Sequence, residues 1–210
     1  MKCLSSIFGL GASGWELQAQ IGPDFPLGGS WFARSITTDG TRVCSADTLG
    51  VGSARVHVAR PPVGVVECEC SVGPCGNSNP GAGCLNSTGY GSLLGAWGDT
   101  RAADVSLVAR DAPPGQFGIF FQGDLPLSSP FGDGLLCADQ GLVRITPAPI
   151  QIDAGGAATF GPCYGDATIP SLTGVVPGSG STRRYQFWFR DPAGPCGSGF
   201  NTSNGLAITW

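Results

Sequence analysis

Apolar and polar residues alternate with a period of two in short runs along most of this 210-residue chain, and glycine, proline and aspartate separate the runs. In W-E-L-Q-A-Q-I (residues 15–21), Trp15, Leu17, Ala19 and Ile21 share one side while Glu16, Gln18 and Gln20 share the other, the pattern of a half-buried strand. Residues 31–36, 41–46 and 53–60 continue the series. Asp39-Gly40 predicts a tight hairpin between two of them, because Asp and Gly tolerate the positive φ of a primed turn. Pro61-Pro62 ends this part. Four short antiparallel strands in about 45 residues make the size of one propeller blade.

Further strands are predicted at 104–110, 116–122, 135–138, 142–146, 149–153, 157–160, 183–190 and 206–210. Turn signals such as Pro113-Pro114-Gly115, Gly132-Asp133-Gly134 and Asp153-Ala154-Gly155-Gly156 fall between them, and no segment keeps a helical apolar period for long. The expected fold is all-β: a propeller-blade-like antiparallel sheet followed by a β-sandwich of jelly-roll type. The expected boundaries are 1–62 for the blade-like unit, 63–90 for a cysteine-rich linker and 91–210 for the sandwich domain.

Composition narrows the class. Hydrophobic residues make up 41% and charged residues only 12%, against about 25% charged in an average soluble domain, so wholesale disorder is excluded. Ten arginines, the single Lys2 and a net charge of −4 leave no basic face for phosphates, which argues against nucleic acid as a partner. No apolar stretch approaches the ~20 residues of a membrane-spanning helix.

Nine cysteines point to an oxidising compartment, and four of them, Cys68, Cys70, Cys75 and Cys84, fall within one short Gly-rich segment. Their spacings do not match the C-x2-4-C pairs of structural zinc and no histidine lies near, so disulfides are preferred to a metal site. The four allow three pairings among themselves. Cys137–Cys196 is the expected bridge further on, since both flank strand ends, and Cys163, Cys3 and Cys44 remain over. The start, M-K-C-L-S-S-I-F-G-L-G, makes a poor export leader. Cysteine usage and N-terminus therefore conflict, and the expectation is an internal Met1 with a longer parent chain upstream.

Two stretches resemble known families. W-E-L-Q-A-Q-I, W-F-A-R-S-I-T-T-D-G-T-R-V and G-S-A-R-V-H-V-A-R together resemble one FG-GAP repeat, the blade unit of integrin-α-like propellers, over about residues 13–60. The chain departs from that pattern where Trp31-Phe32-Ala33 replaces Phe-Gly and Asp47-Thr48-Leu49-Gly50 replaces the acidic calcium loop, so calcium binding is not carried over. G-P-C-G-N, P-P-G-Q-F-G-I-F-F-Q-G, T-R-R-Y-Q-F-W-F-R-D-P and F-N-T-S-N-G-L-A-I-T-W resemble, in order, a C-terminal domain of large secreted bacterial proteins. That resemblance implies a location and an architecture, and it transfers no catalytic residue.

His57 is the single histidine and reads as a solvated strand residue. A Ser-His-Asp or Cys-His enzyme would have to use it, and no nucleophile motif lies near. The surroundings of Asp124 and Asp133 are a weak candidate for a calcium cluster, and no cofactor is expected. The strand Tyr185-Gln186-Phe187-Trp188-Phe189-Arg190 is the best candidate for recognition. Alternation sends Tyr185, Phe187 and Phe189 to a core and leaves Gln186, Trp188 and Arg190 on the other face, where a flat ring among polar neighbours suits a sugar. Trp97 is a second aromatic of this kind. Asn86-Ser87-Thr88 and Asn201-Thr202-Ser203 match the glycosylation acceptor pattern but are read as turns.

The expected function is that of a non-enzymatic extracellular or cell-surface module acting in adhesion, surface architecture or attachment, with a surface polysaccharide or another surface protein as partner. A carbohydrate-binding module is the alternative, and a hydrolase the remote third reading.

Overall fold

In a computed structural model, residues 62–210 are described in full, and of the earlier part only the backbones of five strands. These are β1 (Ser5–Gly11), β2 (Gly14–Ile21), β3 (Ser35–Thr38), β4 (Val43–Thr48) and β5 (Ala54–Ala59). They form one antiparallel sheet in the order β2-β1-β5-β4-β3. Three of the four expected strands fall within a few residues of their predicted positions. The expected strand at 31–36 becomes β3 and keeps only Ser35 and Ile36. β1 adds a fifth strand where the Gly- and Ser-rich start carries little strand propensity. The Asp39-Gly40 turn lies outside the described residues, as do the side chains of His57 and of Asp47 to Gly50.

Residues Pro62–Gly161 and Asp166–Trp210 form the second compact unit. Its strands are β6 (Val65–Glu67), β7 (Leu93–Trp97), β8 (Ser106–Arg110), β9 (Phe117–Gly123), β10 (Leu125–Phe131), β11 (Gly134–Asp139), β12 (Val143–Arg144), β13 (Ile150–Gln151), β14 (Ala158–Phe160), β15 (Thr182–Arg190), β16 (Phe200–Thr202) and β17 (Gly205–Thr209). A central sheet runs β12-β9-β15-β17-β6, with β13 also on β9 and β16 also on β15. A second sheet runs β14-β8-β7, and β10 and β11 make a separate hairpin. All these pairings are antiparallel. The all-β expectation holds, and each strand expected after residue 100 is present.

The main core lies between the two sheets. Leu94, Leu107, Ala109 and Phe160 from one meet Phe120, Tyr185, Phe187, Phe189, Leu206 and Ile208 from the other. Such face-to-face burial of alternate residues makes a sandwich. Phe187 is its centre, with its ring 4.6 Å from Phe120 and 5.8 Å from Phe189. Gly118 makes room for it, since a Cβ there would stand 2.2 Å from the Phe187 ring. Ile169 of the short helix α1 (Ile169–Thr173) joins this core. Thr168 caps that helix by accepting from the Ser171 N–H, and Gly174 at φ 71° ends it in the left-handed conformation.

The segment 63–90, expected as a linker, is part of this unit. Val63 N–H donates to the Ala96 carbonyl of β7, the chain bends at Gly64 with φ 93°, and β6 then pairs with β17. One strand thus passes from the edge of the second sheet to the edge of the central one. Beyond it the backbone is irregular, and its polar groups find side-chain partners instead of a ladder. The Asn77 amide donates to the Leu85 and Asp133 carbonyls, Asn79 to Gly83 and Asn86 to Asp111.

Disulfides finish the fastening: Cys68–Cys137, Cys70–Cys84 and Cys75–Cys196. All six expected cysteines are paired, but the expected Cys137–Cys196 bridge is wrong. The Cys196 N–H is held by the Asp133 carboxylate, four residues before Cys137 on an extended hairpin strand. That is about 13 Å of chain, well beyond the ~7 Å between Cα atoms that a disulfide spans. Cys163 is also disulfide-bonded.

The hairpin β10–β11 covers the outer face of the central sheet. Cys70, Cys84, Leu135 and Cys137 form a small second core there, with Cys68 against it. Cystine sulfur takes the place of aliphatic side chains in this layer. β10 is mostly exposed, and Pro126 and Pro130 leave it short of backbone donors, which protects it against pairing with another chain.

Candidate functional site

β15 is the longest strand of the unit, and its alternation places the candidate residues as expected. Tyr185, Phe187 and Phe189 are fully buried in the main core, while Gln186, Trp188 and Arg190 face the other way. The three outward residues have different fates, because the hairpin covers only part of that face.

Gln186 is no surface residue: it is 0% exposed. Its amide nitrogen donates to the Leu135 carbonyl at 2.7 Å and the Ser203 carbonyl at 2.8 Å, and lies 3.2 Å from the Cys137 sulfur. Its amide oxygen accepts from the Cys137 N–H at 3.0 Å. The sugar-contact expectation for Gln186 is therefore corrected. It bolts β11 and the turn after β16 to β15, and no ligand reaches it. Gln186→Leu is expected to cost about 2–4 kcal/mol, because it leaves buried backbone groups without partners. Chemical denaturation measures this, and a loss under about 0.5 kcal/mol would contradict the assignment.

Trp188 is half-buried and Arg190 is exposed. Arg190 pairs with Phe200 across the β15–β16 ladder. The Trp188 ring lies 5.8 Å from Phe200, which lies 4.9 Å from Phe131 at the tip of the hairpin. Phe131 is 37% exposed. Gly132 allows this stack, since a Cβ there would stand 2.3 Å from the Phe200 ring. Trp188, Phe200 and Phe131 thus make a continuous row of rings, and the exposed Arg190 stands opposite Phe200 in the ladder. On the neighbouring strand Phe117 is 46% exposed. Successive rings are inclined at 36° and 61°, so each meets the next partly edge-on and the row is not flat.

Phe200 and Phe131 were not singled out in the sequence. Phe131 stands next to the Gly132-Asp133-Gly134 turn, which marks it as a hairpin-tip residue. Nothing local shows that this tip lands on β16. Trp97 ends β7 in the other sheet, where its backbone bridges Pro62, and the described structure does not bring it to this row.

The two candidate calcium aspartates serve other ends. Asp124 lies 3.4 Å from the Arg183 guanidinium, and its carbonyl accepts from Arg184. Asp133 is completely buried and its carboxylate accepts from the N–H groups of Cys196 and Ser198 and from the Ser198 hydroxyl. Donors fill both of its oxygens, as in a loop cap. Among the described residues no group of three or more His, Cys, Asp or Glu is placed to hold a metal ion.

Asn86 makes the expected turn, its side-chain oxygen accepting from the Thr88 N–H at 2.8 Å. Asn201 instead lies buried in β16 and donates to the Leu85 carbonyl at 3.0 Å. Tyr185 donates to Gln122 and accepts from the Trp210 indole, both at 2.8 Å. Burial raises its phenol pKa well above the ordinary value, with the Trp210 hydrogen bond and the Arg183 charge pulling weakly the other way. It is a neutral core donor, not a nucleophile.

Compared with protein-family models, with curated proteins and with solved structures, the chain matches none, and the likenesses to an FG-GAP repeat and to a secreted C-terminal domain keep only the residues quoted for them.

Proposed function

We propose that this chain is a non-enzymatic module of an extracellular or cell-surface protein, serving attachment or surface architecture, with the N-terminal sheet as a blade-like repeat. The observation that carries this reading is the set of three disulfides in residues 62–210. Two of them form the second core, which a reducing compartment would dismantle. The way the acidic groups are used supports it as well. Asp153 caps a loop, Asp124 pairs with an arginine, and the buried Asp133 carboxylate is filled by donors from Cys196 and Ser198. Antibodies against residues 62–210 are expected to label intact producing cells or their medium. Signal that emerges only after lysis would contradict the reading.

A carbohydrate-binding surface is the second reading, favoured by the ring row Trp188–Phe200–Phe131 beside the exposed Arg190. Stacked rings with a planar donor are the parts such a surface needs. The inclination of the rings favours the first reading, in which they seal the hairpin tip. Trp188→Ala is then expected to cost about 1–3 kcal/mol, and the wild type passes through insoluble and immobilised polysaccharides without retention. Retention that is lost in Trp188→Ala while the melting curve stays in place would select the carbohydrate reading instead.

A further inference from the structure

The three disulfides of residues 62–210 differ in what surrounds them. Cys70 and Cys84 are 1% and 0% exposed, and Cys137 is 2% exposed beside its half-buried partner Cys68. Cys75 by contrast is exposed and its partner Cys196 is half-buried. Exchange begins when a thiolate reaches a disulfide sulfur, so access ranks the bridges for reaction.

Both halves of the Cys75–Cys196 bridge are also tied to Asp133 without the sulfur bond. Asn77, two residues after Cys75, donates its amide to the Asp133 carbonyl at 2.7 Å. The N–H groups of Cys196 and Ser198 donate to the Asp133 carboxylate, each at 3.0 Å. Asp133 immediately precedes β11, which Cys68–Cys137 fastens independently. We propose that Cys75–Cys196 is a reversible thiol–disulfide exchange site for a soluble dithiol, with Asp133 as the positioning residue that keeps both cysteine segments in place after reduction.

In the reducing direction one thiolate of the dithiol attacks the Cys75 sulfur. The Cys75–Cys196 bond breaks, and Cys196 leaves as a thiolate that takes up a proton. The second sulfur of the dithiol then attacks its own mixed-disulfide sulfur and releases Cys75, which is protonated in turn. The dithiol loses two electrons and becomes a cyclic disulfide, while the protein gains two thiols. A disulfide oxidant reverses the sequence. Because the Asp133 contacts survive, the two thiols keep a high effective concentration toward each other and the bridge re-forms readily. The loop between Arg190 and Phe200 carries Cys196, so the same exchange governs one border of the aromatic row. The site does not depend on which reading of that row holds.

The test is a dithiothreitol titration of the oxidised full chain at neutral pH without denaturant, with alkylation of free thiols and peptide mapping. Cys75 and Cys196 are expected to label together, at least about ten-fold faster than Cys68, Cys137, Cys70 and Cys84. Oxidised glutathione should then restore the bridge once the dithiol is removed. Equal labelling of all six, or earlier labelling of either other pair, would overturn the proposal. For the positioning role, Asp133→Asn is expected to slow re-formation of Cys75–Cys196 by about ten-fold, with forward reduction no slower. If that variant does not fold, Asn77→Ala gives the same readout on the other segment. An unchanged rate of re-formation in a folded variant would overturn the role of Asp133.

Discussion

Phe187→Ala is expected to destabilise residues 62–210 by about 3–5 kcal/mol, the cost of truncating a fully buried aromatic. Phe187 is 0% exposed, touches the rings of Phe120 and Phe189, and lies over Gly118. Neighbours held in two hydrogen-bonded sheets cannot collapse far into the space it leaves. Since a domain of ordinary stability has about 5–15 kcal/mol in all, the variant should unfold at far lower denaturant. Urea titration of the two proteins gives the difference. A loss below about 1 kcal/mol would mean that Phe187 does not sit between the sheets.

Full reduction of the three disulfides is expected to unfold residues 62–210 under conditions in which the oxidised form is native. A native bridge contributes about 2–5 kcal/mol, and long closed loops gain most. Here the joined residues are 69, 14 and 121 apart in sequence. The second core has little besides Leu135 once its cystines open. Near-ultraviolet circular dichroism in mild denaturant, with and without reductant, measures the effect. An unchanged unfolding midpoint after complete reduction would contradict it. Loss of Cys75–Cys196 alone should lower the midpoint without abolishing the cooperative transition, since the main core and the other two bridges remain.

Strands whose buried apolar residues recur at every second position were legible in the sequence. β15 shows why, because its inward Tyr185, Phe187 and Phe189 are all fully buried. β7 was missed since L-L-G-A-W has no polar side to set against its apolar one. β10 was missed because Pro126 and Pro130 speak against a strand, and only its edge position tolerates them. β6 and β16 are three residues each, too short to show a period. The short helix carried its signals in Thr168 and Gly174, but five residues give no apolar period.

At the candidate site, alternation placed Gln186, Trp188 and Arg190 on one face and could say nothing of a third layer. Gln186 lies under β11 because a hairpin more than 40 residues earlier folds onto that face, and Trp188 lies beside Phe200 because β16 pairs with β15. Such non-local pairings leave no mark in the local pattern. The disulfide partners escaped for the same reason. Cys196 follows Asp133, and only the folded chain shows which segment Asp133 holds.

Peptide mapping of non-reduced protein made in an oxidising compartment tests most directly the claim that residues 62–210 are a disulfide-closed module. Cross-linked peptides are expected to show Cys68–Cys137, Cys70–Cys84 and Cys75–Cys196, with none of these six cysteines free. A Cys137–Cys196 peptide, or free thiols at Cys70 and Cys84 in folded protein, would contradict it.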